Sequence, residues 1–316
     1  MAICPSVLIL SSRFDFSCDY VISFLSRWGV SYLRLNSEDL PACDLTLDPI
    51  KRSLSCVVEN TEFVITEDSL RSIWFRRAVY PRDYGGTVPN TPAEQIARVQ
   101  WAAFIRSLMV FDQVSWMNHP QATYAAEHKA VQLAIAAELG FAIPPTILTN
   151  DISRVRGMGS VPLVIKGIDT VIAYESGKEY FAFVESFDAC EGDDSNLRGI
   201  PVTIQREVDP KVDIRVTVVK DKVFAAEIRR EGEGVSGDWR KDKKPLVYSK
   251  TVLPTLVELA CVSLTRRLGL VFGAIDLAVN AGTHWFLEIN PTGEWSWLVD
   301  SAGLPIDEEI ANALVR

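Results

Sequence analysis

The spacing of apolar positions changes repeatedly along the chain. Val7-Leu8-Ile9-Leu10 is an unbroken apolar run, the pattern of a buried strand. Beyond Ser11-Ser12, Tyr20, Phe24 and Trp28 recur at helical spacing until Gly29. Strands are predicted at Ser31–Leu35 and Ile73–Phe75, with a hairpin of Leu54–Val58 and Glu62–Ile65 turning at Glu59-Asn60-Thr61. These elements predict a small N-terminal α/β unit. Pro81–Pro92, rich in Gly and Pro, is expected to be a loop.

Ala93–Trp116 and Gln121–Leu139 are helix-compatible, separated by Asn118-His119-Pro120, and Gly140 closes the second. Strands are expected at Val161–Lys166, Tyr180–Phe187, Val202–Arg206, Ile214–Val219 and Val223–Arg229, with Lys220-Asp221 as a turn. The acidic, glycine-containing stretch Asp188–Gly199 reads as a solvent loop whose spacing does not fit an EF-hand. A helix over Leu253–Leu268, strands Gly273–Val279 and Trp285–Ile289, and a helix over Asp307–Val315 complete the pattern. Alternating strands and helices without an internal repeat predict an α/β protein with several sheet layers.

Composition narrows the choice. The 316 residues exceed a minimal module, and 48% hydrophobic with 23% charged residues supports a substantial core. With 32 Lys plus Arg against 41 Asp plus Glu, the net charge of -9 argues against a nucleic-acid-coated surface. The six cysteines are dispersed without a CxxC pair, and no apolar run is long enough to span a membrane. A cytoplasmic protein with no membrane or nucleic-acid partner is expected. No surface pattern defines a self-complementary dimer interface, although a homodimer is compatible with the sequence.

The strongest chemical signal is Glu288-Ile289-Asn290-Pro291, with Asp276 twelve positions earlier in another apolar strand. Residues two apart on a strand share a face, so Glu288 and Asn290 point one way and an adjacent strand would bring Asp276 beside them. Three oxygen ligands then suit magnesium, and a strand-end hydrogen-bond network is the alternative reading. Zinc fits less well, because His119, His128 and His284 form no HExxH. Lys129 and Lys166 are candidates for nucleotide phosphates or ordinary surface lysines; no P-loop or kinase catalytic motif is present.

Several ordered landmarks accompany that signal: Ser72-Ile73-Trp74-Phe75-Arg76-Arg77, Trp116-Met117-Asn118-His119-Pro120, Asp238-Trp239-Arg240, and the ending Phe286-Leu287-Glu288-Ile289-Asn290-Pro291-Thr292-Gly293-Glu294-Trp295. With these residues the chain resembles the ATP-grasp superfamily over nearly its whole length, and within it the microviridin-type (graspetide) peptide macrocyclases, which share RimK-like ligase architecture. The resemblance implies an ATP-grasp fold: an N-terminal pre-ATP-grasp domain at 1–118, a central lid at 119–200 and a C-terminal ATP-binding domain at 201–316. It implies ATP and Mg2+ as cofactors, with phosphate contacts from Lys129 and Lys166 and an adenine-binding segment near Gln205 and Val208. Asp276, Glu288 and Asn290 match the metal-ligand pattern, and Asn290 also falls in the nucleotide site.

The same resemblance implies catalytic roles for Arg215 and Arg240 in stabilising phosphate or acyl phosphate, with Asp213 orienting the charged network. Substrate contacts are expected from Arg76, Arg77, Arg229, Arg230, Asp238, Trp239 and Glu294. The implied partner is a ribosomally made precursor peptide with a leader and an Asp- or Glu-containing core. ATP would activate a side-chain carboxylate as an acyl phosphate, for attack by a Ser or Thr hydroxyl (ω-ester) or a Lys amine (ω-amide). Glu294 stands where related enzymes often carry Gln, and Ala78 where they often carry Pro. A free carboxylate–amine ligase and a nonenzymatic leader-peptide-binding scaffold are the competing readings.

Overall fold

A computed structural model describes the chain apart from residues 1, 77–90, 160, 170–171, 176–177, 182–183, 188–197, 231, 236 and 238–244, with the backbone alone at 172–175 and 178–181. The first unit is built around β1 (Val7–Ser11), whose five residues are all buried because parallel neighbours flank it on both sides. Helix α1 (Ser17–Arg27) follows and stops before Gly29, which takes φ +66°, a left-handed conformation that glycine adopts without strain. Next come β2 (Tyr32–Asn36) and the antiparallel β3 (Asp44–Asp48), β4 (Ser53–Val58) and β5 (Thr61–Thr66). The β4–β5 turn falls where the sequence predicts but is one residue shorter, with Glu59 and Asn60 both at positive φ and Thr61 already paired in β5. The strand β3 was not anticipated.

β6 (Ser72–Phe75) pairs with the other side of β1. Helix α2 (Pro92–Ser107) begins with Pro92 at its first position, and Thr91 and Glu94 form a reciprocal capping box. Pro92 therefore opens the helix instead of closing the predicted loop, whose residues 81–90 lie outside the described residues. The helix is also shorter than predicted. Past a 3-10 turn at Leu108–Val110, Trp116 lies in β7 (Ser115–Met117), the outermost strand of a parallel sheet ordered β2-β1-β6-β7.

The predicted helix over 121–139 is two helices, α3 (Pro120–Ala126) and α4 (Lys129–Glu138), because His128 is extended (φ -72°, ψ 99°). The break places Lys129 in the first turn of α4. β8 (Thr146–Thr149), α5 (Ile152–Arg156), β9 (Leu163–Lys166), the hairpin β10 (Ile172–Glu175) with β11 (Lys178–Phe181), and β12 (Glu185–Phe187) come next. The single strand expected over Tyr180–Phe187 is thus divided between β11 and β12. β13 (Val202–Arg206) completes a sheet ordered β12-β9-β13-β8, with Ile152, Val155, Leu163, Val202 and Ile204 packed together at its core.

The remaining strands, β14 (Val212–Val219), β15 (Lys222–Arg229), β16 (Val247–Thr251), β17 (Phe272–Asn280) and β18 (Thr283–Asn290), form an antiparallel sheet ordered β16-β15-β14-β17-β18. Helices α6 (Thr255–Arg267), α7 (Trp297–Ala302) and α8 (Ile306–Val315) accompany it. One face, through Val216, Val218, Ile275, Leu277, Phe286 and Ile289, packs with Ala126 and Ala136 of α3 and α4 and with Cys261 and Leu264 of α6. Ala226, Phe272 and Ala274 belong to a different cluster, with Trp295, Leu298 and Ile310 and with Val7, Ile9, Val21, Leu25 and Trp74 of the first unit. One core thus joins the two ends of the chain.

Candidate active site

Strand register assembles the site. Arg215 of β14 lies opposite Asp276 of β17, and Asp276 lies opposite Glu288 of β18, so three charged residues stand in a row across three adjacent strands. Ala274 lies opposite Asn290 in the next row of that face. Between Asp276 and Leu277 the β17–β18 register shifts, pairing Leu277 with Phe286 and leaving Leu287 outside the ladder. Strict alternation would put Phe286 and Glu288 on one face. The bulge separates them: Phe286 and Ile289, three apart, both enter the apolar core, and Glu288 is half-buried.

The charges are interlocked. Arg215, 8% exposed, donates from Nη1 to Asp276 Oδ1 at 2.8 Å and from Nη2 to the Glu294 carbonyl at 2.9 Å. Lys129 Nζ is 3.6 Å from Glu288 Oε2. Asn290 Oδ1 accepts from Thr292 N at 3.0 Å, a short Asx-type turn that orients its amide. Among the described residues no three His, Cys, Asp or Glu side chains gather as a metal site. A magnesium site here therefore rests on two carboxylates and the Asn290 amide oxygen, a set of hard oxygen donors that fits that ion.

Lys166 of β9 and Gln205 of β13 meet diagonally across the paired strands: Lys166 Nζ donates to Gln205 Oε1 at 2.9 Å, and Gln205 Nε2 donates to Thr146 Oγ1 at 2.7 Å. Val208 lies just past β13, half-buried. Asp213 is buried and ion-paired with Lys211, two residues away on the same strand face. Arg229 donates to Glu227 Oε2 at 2.9 Å, and the Arg230 backbone bridges to Glu233. Arg77, Asp238, Trp239 and Arg240 lie outside the described residues.

Arg76 is 5% exposed. Its Nη1 donates to the Thr292 carbonyl at 2.6 Å and its Nη2 to Glu294 Oε2 at 2.9 Å, while Nε lies 3.2 Å from both Asp15 Oδ2 and Ser17 Oγ. Glu294 Oε1 in turn accepts from the backbone N–H groups of Trp295 and Ser296 at 3.0 and 3.1 Å.

Two supporting residues have no role assigned from the sequence. Gln132 of α4 bonds the backbone of Ile289 on the outer edge of β18. The Asn118 amide donates to the Phe272 and Pro291 carbonyls, both at 2.9 Å, and accepts from Val271 N and Phe272 N at 2.7 and 2.9 Å, tying the end of β7 to β17 and to the turn after β18. Asn118 stands in the Trp116–Pro120 landmark, but its carbonyl partners lie 154 and 173 residues away and left its role invisible in the sequence. Cysteine chemistry has no footing in the core, since burial pushes the Cys18 and Cys261 thiols up to about 12.

No family model and no curated protein matches the chain. Solved structures do. The macrocyclase MdnC bound with precursor peptide MdnA, from Microcystis aeruginosa MRC, is 25% identical, with a TM-score of 0.83 over 98% of this chain and 99% of its own. The RiPP-associated ATP-grasp ligase of Chryseobacterium gregarium, solved with ADP and a leader and core peptide, is 24% identical, with a TM-score of 0.83 over 98% and 96%. ATP-grasp ligase PsnB with minimal precursor, Mg and ADP is 20% identical, with a TM-score of 0.78 over 100% and 98%. The fold is that of an ATP-grasp ligase. Within that class the chain resembles the microviridin-type peptide macrocyclases along its whole length.

Proposed function

We propose that this protein is an ATP-dependent ligase that closes rings in a ribosomally made precursor peptide, using ATP and Mg2+. The observation that carries the reading is the row Arg215–Asp276–Glu288, with Asn290 in the next row, in a chain that matches a precursor-bound macrocyclase from end to end. Asp276, Glu288 and Asn290 would hold magnesium, which when bound neutralises phosphate charge during phosphoryl transfer. Lys129 and Lys166 supply cationic donors for the nucleotide phosphates, and Gln205, held by Thr146, sets the direction of the Lys166 ammonium. Val208 would border the adenine.

A peptide Asp or Glu carboxylate oxygen attacks the γ-phosphorus of ATP, ADP leaves, and an acyl phosphate forms. A Ser or Thr hydroxyl then attacks the acyl carbon, gives up its proton and expels phosphate, leaving an ω-ester; a Lys amine leaves an ω-amide. Arg215 is fixed by Asp276 and the Glu294 carbonyl, so its charge is preorganised beside the transferring group, with Asp213 in the same sheet face. Arg240 joins it in stabilising the acyl phosphate. Arg77, Arg230, Asp238 and Trp239 are the proposed peptide contacts, whereas Arg229 pairs with Glu227 on the opposite face of the sheet. Among the described residues no helix is long and apolar enough to cross a membrane, and the dispersed free cysteines suit work in the cytoplasm.

The test is incubation with magnesium-ATP and the full-length product of any small precursor gene neighbouring this one, followed by intact and fragment mass measurement. Loss of one water mass per linkage, with fragments joining Asp or Glu to Ser, Thr or Lys, is expected. Loss of water only when a free amine is added would replace macrocyclisation by carboxylate–amine ligation, and binding of the precursor without ATP consumption would reduce the protein to a scaffold.

A further inference from the structure

The sequence assigns Arg76 to a peptide carboxylate, yet every nitrogen of its guanidinium is engaged inside the protein. On one side it meets Asp15 of the loop entering α1 and Ser17 at the start of α1; on the other it meets the Thr292 carbonyl and the Glu294 carboxylate of the turn after β18. That turn is the one that orients the candidate metal ligands. Thr292, bound to Arg76 through its carbonyl, donates its N–H to Asn290 Oδ1. Glu294, bound to Arg76 through its carboxylate, accepts Arg215 through its carbonyl, and Arg215 holds Asp276.

Packing leaves the turn little freedom. A Cβ on Gly293 would sit 2.5 Å from Ala274 Cβ and 2.9 Å from Arg215 Nη2, so the backbone lies directly on the site face of the sheet. A planar guanidinium with five donors suits a joint of this kind, and an ammonium cannot reproduce it.

We propose that Arg76 is a positioning residue: from the N-terminal sheet it holds Thr292 and Glu294, and through them the Asn290 and Asp276 oxygens that would take magnesium. This rests on the nucleotide-site reading above and assigns Arg76 no contact with the peptide. Glu294 is the joint between the two arginines.

The experiment titrates Mg2+ at fixed ADP by calorimetry on the full-length protein, alongside precursor affinity by fluorescence anisotropy without nucleotide. Arg76→Lys, which keeps the charge and loses the fork, is expected to raise the half-saturating Mg2+ concentration about tenfold, the size of effect typical of groups that orient metal ligands. Glu294→Ala, which removes the carboxylate from a half-exposed side chain, is expected to raise it about threefold. Both should leave precursor affinity within about twofold. An unchanged Mg2+ dependence in folded Glu294→Ala overturns the proposal even if Arg76→Lys fails to fold. So does a tenfold loss of precursor affinity at constant Mg2+ dependence. A wild type that binds Mg-ADP but cyclises no precursor defeats the macrocyclase reading alone; a wild type that binds no Mg-ADP defeats both.

Discussion

Gln132 pairs with Ile289 as a neighbouring strand would: its Oε1 accepts the Ile289 N–H at 3.0 Å and its Nε2 donates to the Ile289 carbonyl at 2.8 Å. β18 is the last strand of its sheet, and this amide satisfies the buried backbone on its open side, between Glu288 and Asn290. Gln132→Leu is therefore expected to lower stability by about 1–3 kcal/mol, the cost of leaving those groups unpaired. The shift should be visible as a lower urea midpoint at an unchanged slope.

The two-apart geometry of Glu288 and Asn290 leads to a separation of function from folding. Glu288→Gln and Asn290→Ala should each reduce ATP turnover by about a hundredfold, because several kcal/mol of charge stabilisation depend on a correctly held ion. Thermal midpoints should stay within about 4 °C of wild type. Turnover that survives in both folded variants would remove these residues from the metal site.

Gly293 is expected to be intolerant of the smallest side chain. Gly293→Ala must displace Ala274 Cβ and Asn290 Cβ, with the latter 3.2 Å away, so overpacking of about 1–3 kcal/mol is expected. The displaced turn should also weaken Mg-ADP binding. Wild-type binding and stability in this variant would show that the turn yields freely.

His119 introduces a pH term. Burial holds its imidazole below the ordinary histidine range, and its Nδ1 accepts the Gln121 N–H at the start of α3, a bond available only to the neutral ring. Because the folded pKa is depressed, the contribution is complete above the unfolded value and is lost as pH falls through the folded one. Between about pH 7.5 and about pH 5, wild type should lose more stability than His119→Asn, whose amide caps without titrating. Parallel urea midpoints across that range would exclude the effect.

The fold was readable wherever one period held for several turns or residues. β1, β13, β14, β15 and the pair β17–β18 follow directly from their apolar runs, and the oxygen row from the spacing of Glu288 and Asn290 with Asp276. Errors fell where tertiary contacts override a pattern: α3 and α4 share a helical period across His128, and Trp116 continues an apolar helix face but pairs in a sheet. The spacing of three between Phe286 and Ile289 was the visible trace of the bulge. The Arg76 joint left no such trace, since Thr292 and Glu294 lie 216 and 218 residues away.

The core that joins the chain's two ends carries a kinetic consequence. Val7, Ile9, Val21 and Leu25 find their packing partners in Ile306, Ile310, Ala311 and Leu314, and the carbonyls of Leu314 and Val315 are met by Ser72 and Arg71. Contacts of such sequence separation raise the contact order, and loop-closure entropy must be met before they stabilise anything. A fragment ending near residue 118 is therefore expected to present an apolar face to water, because α8 packs against α1.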